Sequence, residues 1–179
     1  MTTSQVTTRR NITCRWGNLL PLLNRKPSGL LRFGFRLPIW LYRWRLGWLL
    51  GERFLLLNHT GRKSGVVRQT VIEVVGHDKV TGAYYVVSGF GRKADWFLNI
   101  QKEPEVKVTV GSRSFEAEAG VVPENEAADI LSRYAADHPL AFRELSKILL
   151  GETIQPTREN CLQFVQTMPM VSFLPMKQK

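Results

Sequence analysis

A short basic segment, Gly61-Arg62-Lys63-Ser64-Gly65 followed by Arg68, has the composition of an anion-binding loop. Its two glycines permit tight turns, which let backbone N–H groups approach a ligand closely. Three cations and a hydroxyl within a few residues are the donors that a phosphate group requires. The segment lacks the GxxxxGK[ST] spacing of a P-loop. A solvated basic hairpin is the alternative to an anion site.

A second candidate segment begins where a predicted strand reaches Ser88-Gly89-Phe90-Gly91. The small residues of this corner would let a flat ring approach the backbone. A short helix is predicted to follow, and Trp96 and Asn99 share one of its sides because they are three positions apart. An ordinary strand-to-helix corner, with Trp96 in the core, is the alternative interpretation.

No recognised nucleophilic motif accompanies these two segments. The sequence contains neither an HExxH nor a GxSxG pattern. His59 directly precedes the basic loop, and a satisfied histidine at a strand end is the preferred interpretation. Tyr134 is a candidate hydroxyl donor, with helix packing as its alternative role.

Hydrophobic periodicity predicts the elements that position both segments. Strands are predicted at 54–57, 66–75, 84–87, 105–110, 113–122 and 170–174, and helices at 94–103, 123–137 and 139–150. The hairpin over 105–122 is the clearest of these patterns. Five or six mostly antiparallel strands with helices outside favour an α+β fold built on one small β-barrel.

The overall composition suits one globular domain. The chain has 179 residues, of which 44% are hydrophobic and 22% charged, and this excludes disordered, collagen-like and low-complexity classes. We expect a flexible basic segment over 1–29 and a single domain over 30–179. Cys14 and Cys161 are far apart and form no disulfide framework or zinc motif, which favours a cytoplasmic location.

The net charge of +10 is concentrated near the amino terminus, because the first 70 residues hold thirteen lysines and arginines but one acid. Residues 30–50 are predicted to form an amphipathic helix, with Trp40, Trp44 and Trp48 on one face beside arginines. Such a helix suits the headgroup region of an anionic membrane, and a helix packed on the core is the alternative. Peripheral attachment to the inner face of the plasma membrane therefore stays open. No nucleic-acid partner is expected, since no recognition motif accompanies the cations.

Taken in order, these segments resemble the deazaflavin-dependent nitroreductase family, also described as coenzyme F420-dependent quinone reductases. The resemblance runs from about residue 46 to 122 and rests on TGRKSG with Arg68, on Ser88-Gly89, on DWFLN at 95–99 and on PEVKV at 104–108. It implies a split β-barrel like that of flavin-mononucleotide-binding oxidoreductases. It also implies a cofactor that carries a hydride.

The resemblance further implies a role for each candidate segment. The cofactor's phosphate and acidic tail would be bound by Arg62, Lys63, Ser64, Gly65, Arg68 and Lys93. The deazaflavin ring would be bordered by Ser88, Gly89, Phe90 and Gly91, with Trp96 and Asn99 behind them. The alternative cofactor is FMN.

Three residues are candidates for chemistry at the acceptor. Solvent or a nearby hydroxyl such as that of Ser88 would supply the proton in hydride transfer to a quinone. Glu73 stands where the best-known nitroreductases carry a tyrosine on the second strand, and Tyr134 is the tyrosine nearest to their late tyrosine cluster.

These observations predict an oxidoreductase that transfers a hydride from reduced coenzyme F420 to a lipophilic acceptor, either quinone-like or nitroaromatic. The alternative functions are a non-enzymatic carrier of a lipophilic ligand at a membrane surface and an FMN-dependent reductase. Both a monomer and a homodimer are compatible with the sequence.

Overall fold

The computed structural model describes residues 51–176, and in this part of the chain six antiparallel strands close into one barrel. They are β1 Phe54–Thr60, β2 Val67–His77, β3 Tyr84–Val87, β4 Glu105–Val110, β5 Arg113–Val121 and β6 Met170–Pro175. Around the barrel their order is β1-β2-β3-β6-β5-β4, and pairing of β4 with β1 completes it. The predicted α+β fold, a split β-barrel with flanking helices, is confirmed.

Four α-helices flank the barrel within residues 51–176. They are α1 Asp95–Lys102, α2 Glu124–Asp137, α3 Pro139–Leu150 and α4 Arg158–Thr167, and a 3-10 helix over Gly91–Lys93 precedes α1. The first three coincide closely with predicted helices, whereas α4 is not among the predictions. Its amino-terminal cap is Thr157, whose hydroxyl oxygen accepts a hydrogen bond from the Asn160 N–H at 3.2 Å.

Alternate side chains of the strands fill the interior of the barrel, as a strand period of two requires. Leu55 and Leu57 from β1 are fully buried there with Phe173 from β6. Phe97 and Ile100 from α1 belong to the same cluster. Helix α1 is therefore packed against the barrel core, and its position relative to the strands is fixed.

A second core lies between the outside of the barrel and the helices α2, α3 and α4. Val75 from β2 and Met170 from β6 pack there with Leu131 from α2, Phe142 from α3 and Phe164 from α4. This core holds α2 and α3 beside β2. This arrangement matters for the candidate site because β2 begins directly after the basic loop.

The predicted segment 1–29 and the predicted helix over 30–50, with its tryptophan face, lie outside the described residues. Among residues 51–176, no helix combines the length and the apolar composition that crossing a bilayer demands.

Truncation of a side chain inside the barrel should destabilise the protein strongly. Phe173 on β6 is fully buried, whereas its neighbour Leu174 is 44% exposed. We expect Phe173→Ala to lower the free energy of unfolding by about 3–5 kcal/mol. The matched control Leu174→Ala should lose about 1 kcal/mol or less. Urea denaturation measures both, and equal losses would contradict the inward and outward assignment of these two side chains.

Candidate functional site

The basic loop joins β1 to β2 in a tight turn. The Gly61 N–H donates to the Val66 carbonyl at 2.9 Å, and the Gly65 N–H donates to the Gly61 carbonyl at 2.8 Å. Gly65 has a φ of 65°, a left-handed conformation that glycine adopts without strain. A Cβ on Gly61 would lie 2.7 Å from Ser64 Oγ and 3.1 Å from Arg68 Nε. The missing side chain therefore allows Ser64 and Arg68 to lie over the turn.

Arg62 points towards α1. Its backbone N–H and its Nη1 both donate to Asn99 Oδ1 at 3.0 Å. Nη1 also lies 3.2 Å from Asp95 Oδ1, and Lys102 Nζ donates to the Arg62 carbonyl at 3.0 Å. Only 25% of the Arg62 side chain is exposed, because it is engaged with α1, and its predicted contact with the cofactor's acidic tail stays a prediction.

The side chain of Asn99 carries this network into the protein. Asn99 is 2% exposed, and its Nδ2 lies 2.9 Å from Nδ1 of His59, which is 5% exposed. Since Oδ1 accepts from two donors of Arg62, Nδ2 is the donor and His59 Nδ1 accepts, as in a neutral imidazole with its proton on Nε2. The interpretation of His59 as a satisfied strand-end histidine is confirmed.

Burial is the main reason why the pKa of His59 lies below its ordinary value of 6.5. The positive charge of Arg68, its partner across the β1–β2 ladder, lowers this pKa further, while Asp95 acts in the opposite direction. A neutral imidazole is what the hydrogen bond from Asn99 requires. The electrostatics and the hydrogen-bond geometry therefore agree.

Three cations around the loop stay exposed, namely Lys63, Arg68 and Lys93, and we call them the basic edge. In the range 51–176 none of the three side chains has an ion pair or a hydrogen bond. Lys93 precedes Asp95, the carboxylate next to Arg62, by two positions, so it lies on the segment adjoining the loop. Uncompensated charges of this kind fit a phosphate or carboxylate group.

The glycine corner is packed against helices. Ser88 is fully buried, and its Oγ donates to the Gly91 carbonyl at 2.8 Å. A Cβ on Gly89 would lie 2.7 Å from Leu149 Cδ2 on α3, and a Cβ on Gly91 would lie 3.0 Å from the carbonyl oxygen of Thr167 on α4. The small residues at this corner thus allow the close approach of α3 and α4, and the predicted contact with a cofactor ring stays a prediction.

The predicted role of Ser88 as a proton source stays a prediction. Its hydroxyl proton is donated to the Gly91 carbonyl, so it would have to leave this hydrogen bond to reach an acceptor. Phe90 is 41% exposed at the same corner. Trp96 is half-buried and lies edge-on against Phe97, with 6.0 Å between the ring centroids, in agreement with its alternative role in the core.

Glu73 and Tyr134 are brought into direct contact. The Tyr134 hydroxyl on α2 donates to Glu73 Oε1 on β2 at 3.0 Å. The Arg53 guanidinium approaches the same oxygen at 3.2 Å, because Arg53 adjoins Phe54, the residue opposite Glu73 in the β1–β2 ladder. Arg53 is not among the predicted site residues, since only the strand register reveals its neighbour.

The environment of Tyr134 keeps its phenol protonated. Burial, followed by the negative charge of Glu73 and the hydrogen bond to it, raises the pKa of Tyr134 well above its ordinary value of 10.0. The phenolic hydrogen is directed at Glu73. Tyr134 is therefore placed to orient a neighbour or to accept a hydrogen bond, and it is a poor proton source.

Tyr134 and Arg53 line a cleft of about 1100 Å³ beside β2. Its wall combines apolar side chains, including Val74, Val75 and Ile130, with ionisable ones, including Asp78, Arg133 and His138. Small-molecule sites have volumes of roughly 300–1,000 Å³. The cleft is therefore large enough for a fused ring together with a small second molecule.

Strand β2 links the basic edge to this cleft. It begins next to Arg68, and its residues 74–77 lie in the cleft wall. At ~3.3 Å per residue, the path from Arg68 to Val74 is roughly 20 Å long. One ligand would have to be elongated to contact both places.

Comparison with known families matches residues 38–143, more than half of the chain, to a family described as F420H(2)-dependent quinone reductase. The chain belongs to this family. The match includes the basic loop, the glycine corner, α1 and Tyr134. No curated protein matches the chain.

Several solved structures are similar to this one at low sequence identity. An F420-H2 dependent reductase is 19% identical over 69% of this chain and 95% of its own, with a TM-score of 0.47. The heme storage protein HutZ from Vibrio cholerae is 13% identical over 77% and 92% of the two chains, with a TM-score of 0.46. A putative pyridoxamine 5′-phosphate oxidase from Listeria innocua is 14% identical over 77% and 94%, with a TM-score of 0.46.

The neutral His59 should make the protein less stable in mild acid. Because its folded-state pKa is lowered below 6.5, the unfolded chain binds the proton first as the pH falls. The free energy of unfolding should therefore decrease from about pH 6.5 downwards. His59→Gln cannot be protonated and should lose less over the same interval. Urea denaturation at several pH values compares the two proteins, and an NMR-measured His59 pKa at or above its ordinary value would contradict the expectation.

Proposed function

We propose that this protein is an oxidoreductase that binds reduced coenzyme F420 and reduces a quinone-type acceptor in the cleft beside Tyr134. The observation that carries the proposal is the combination, in a chain of this family, of three cations without an ion pair among residues 51–176 and a cleft of about 1100 Å³. The first suits an acidic tail, and the second suits a ring and its acceptor.

The donor set fits this cofactor better than it fits FMN. Coenzyme F420 carries a phosphate and a further acidic tail, whereas FMN ends in a single phosphate. Lys63, Arg68 and Lys93 are all exposed and would each face part of an extended anionic group.

Binding and orientation are the main tasks of the chain's own residues. When bound, the reduced cofactor supplies a hydride, and a quinone that takes up this hydride and one proton becomes a hydroquinone. Lys63 and Arg68 would hold the acidic tail and so restrict the position of the ring end of the molecule. An anchored tail favours one orientation of the cofactor over many.

Arg53 is the residue suited to stabilise charge in the cleft. Its guanidinium is held by Glu73, lies in the cleft wall and is 59% exposed. Although Glu73 offsets its charge, the remaining N–H groups of this oriented guanidinium would donate hydrogen bonds to a quinone oxygen and so stabilise the negative charge that develops there. The protons of Ser88 and Tyr134 are committed within the protein, so water at the exposed rim, where Val80 is 95% exposed, would supply the proton.

Ligand titration and turnover together test the proposal. We expect oxidised F420 to bind more tightly than FMN or a fatty acid, and reduced F420 to be consumed when a quinone such as menadione is added. Fluorescence titration and deazaflavin absorbance measure the two steps, with a nitroaromatic compound as a second acceptor. Fatty-acid binding without either cofactor would instead support the carrier function, and tight FMN binding alone would support an FMN-dependent reductase.

Single substitutions at the basic edge should weaken cofactor binding. We expect Lys63→Ala and Arg68→Ala each to reduce F420 affinity roughly five- to tenfold, because each removes a charge-assisted contact that water partly screens. The matched control is Lys147→Ala, which removes an exposed lysine near the end of α3, away from the loop. If affinity stays unchanged in both loop variants, the basic edge is not the tail-binding site.

A further inference from the structure

We propose that Arg62 is a positioning residue that fastens the basic loop to α1 through Asn99, so that Lys63 and Arg68 are held where they bind an anion. Arg62 itself is not an anion ligand. The inference rests on the proposed function for the identity of the anion, but the fastening can be tested without it.

The backbone of Arg62 is held on both sides by α1. Its N–H donates to Asn99 Oδ1 at 3.0 Å, and its carbonyl accepts from Lys102 Nζ at 3.0 Å. Asn99 and Lys102 are three positions apart and therefore lie on the same face of the helix. The peptide on each side of Arg62 is thus fixed by one helix face, and the next residue in the chain is Lys63.

The guanidinium strengthens the same contact and carries a compensated charge. Nη1 contacts Asn99 Oδ1 at 3.0 Å, the Asp95 carbonyl at 3.3 Å and Asp95 Oδ1 at 3.2 Å. All three oxygens are acceptors for the Nη1 group, which points to α1. The Asp95 carboxylate also offsets the positive charge of the guanidinium. Lys63 and Arg68 have no such compensation within residues 51–176.

Asn99 is a firm anchor because its amide is satisfied at both ends. Oδ1 accepts from Arg62, and Nδ2 donates to His59 Nδ1 at 2.9 Å. Its helix neighbours Phe97 and Ile100 are buried in the barrel core. Loss of the Arg62 guanidinium would leave a buried amide oxygen with one donor fewer, which favours rearrangement of the loop and of the His59 contact.

Conservative and partner substitutions distinguish a positioning role from direct binding. Arg62→Lys keeps the charge, but its ammonium cannot reproduce the Nη1 contacts with both Asn99 and Asp95, so we expect it to lose about as much F420 affinity as Arg62→Ala. Asn99→Ala removes no cation, yet it should reduce the affinity by a similar roughly five- to tenfold, with little further loss in the double variant. Arg62→Lys or Asn99→Ala with wild-type affinity would overturn the inference, and Arg62→Lys decides alone if Asn99→Ala does not fold.

An NMR signature tests the fastening independently of F420. The ring-nitrogen shifts of His59 report its tautomer and its pKa. We expect Arg62→Ala and Arg62→Lys to change them, while the neighbouring control Lys63→Ala leaves them unchanged. Identical His59 spectra in wild type and Arg62→Ala would overturn the inference. Changed His59 spectra in a protein that does not bind F420 would show that the proposed function fails while the fastening stands.

Discussion

A buried side-chain amide is the constraint on which the candidate site depends. Asn99 lies on the helix that packs against the barrel core, and both ends of its amide need partners because water does not reach it. His59 and Arg62 are those partners. Strand β1, the basic loop and α1 are thereby tied to one another at a single residue, and the exposed cations take their positions from that connection.

The two polar networks of the candidate site differ in exposure. The Asn99 network is buried and fixes backbone, whereas the contact of Glu73 with Tyr134 and Arg53 adjoins an open cleft. A buried, satisfied network stabilises one arrangement, and a network at a cleft wall presents oriented groups to a ligand. Strand β2 runs past both, so its twist and register set the distance between the basic edge and the cleft.

Local pattern was sufficient for much of the fold. Period-two alternation predicts the β4–β5 hairpin, because a half-buried strand must alternate whatever its neighbours are. The short apolar run at 84–87 coincides with β3, a strand with three of its four residues buried. Helix α4 has the weakest apolar stripe, with Cys161, Phe164 and Val165 as its buried residues, and its polar remainder hides the helical period. Helix α4 packs against α2, and a contact between two helices this far apart in the sequence leaves no local pattern.

The site was less predictable, since residue type does not reveal a long-range partner. Composition alone makes Arg62 equivalent to Lys63, yet the fold gives only Arg62 a carboxylate and an amide on α1. In the same way, Ser88 has a reactive side-chain type but a committed proton. Glycine at 89 permits close packing of a helix as readily as close approach of a ring.

The positive charge that the basic loop offers to a ligand is smaller than its composition suggests. A guanidinium at 3.2 Å from a carboxylate contributes little net charge to a ligand nearby, so counting cations overstates the potential at the loop. The effective positive charge is carried by Lys63 and Arg68, which adjoin the turn whose backbone Arg62 holds in place, and by Lys93 on the segment before α1. An anion would therefore meet fewer charges than the sequence contains. Because these charges are already positioned, less side-chain and loop entropy would be lost on binding.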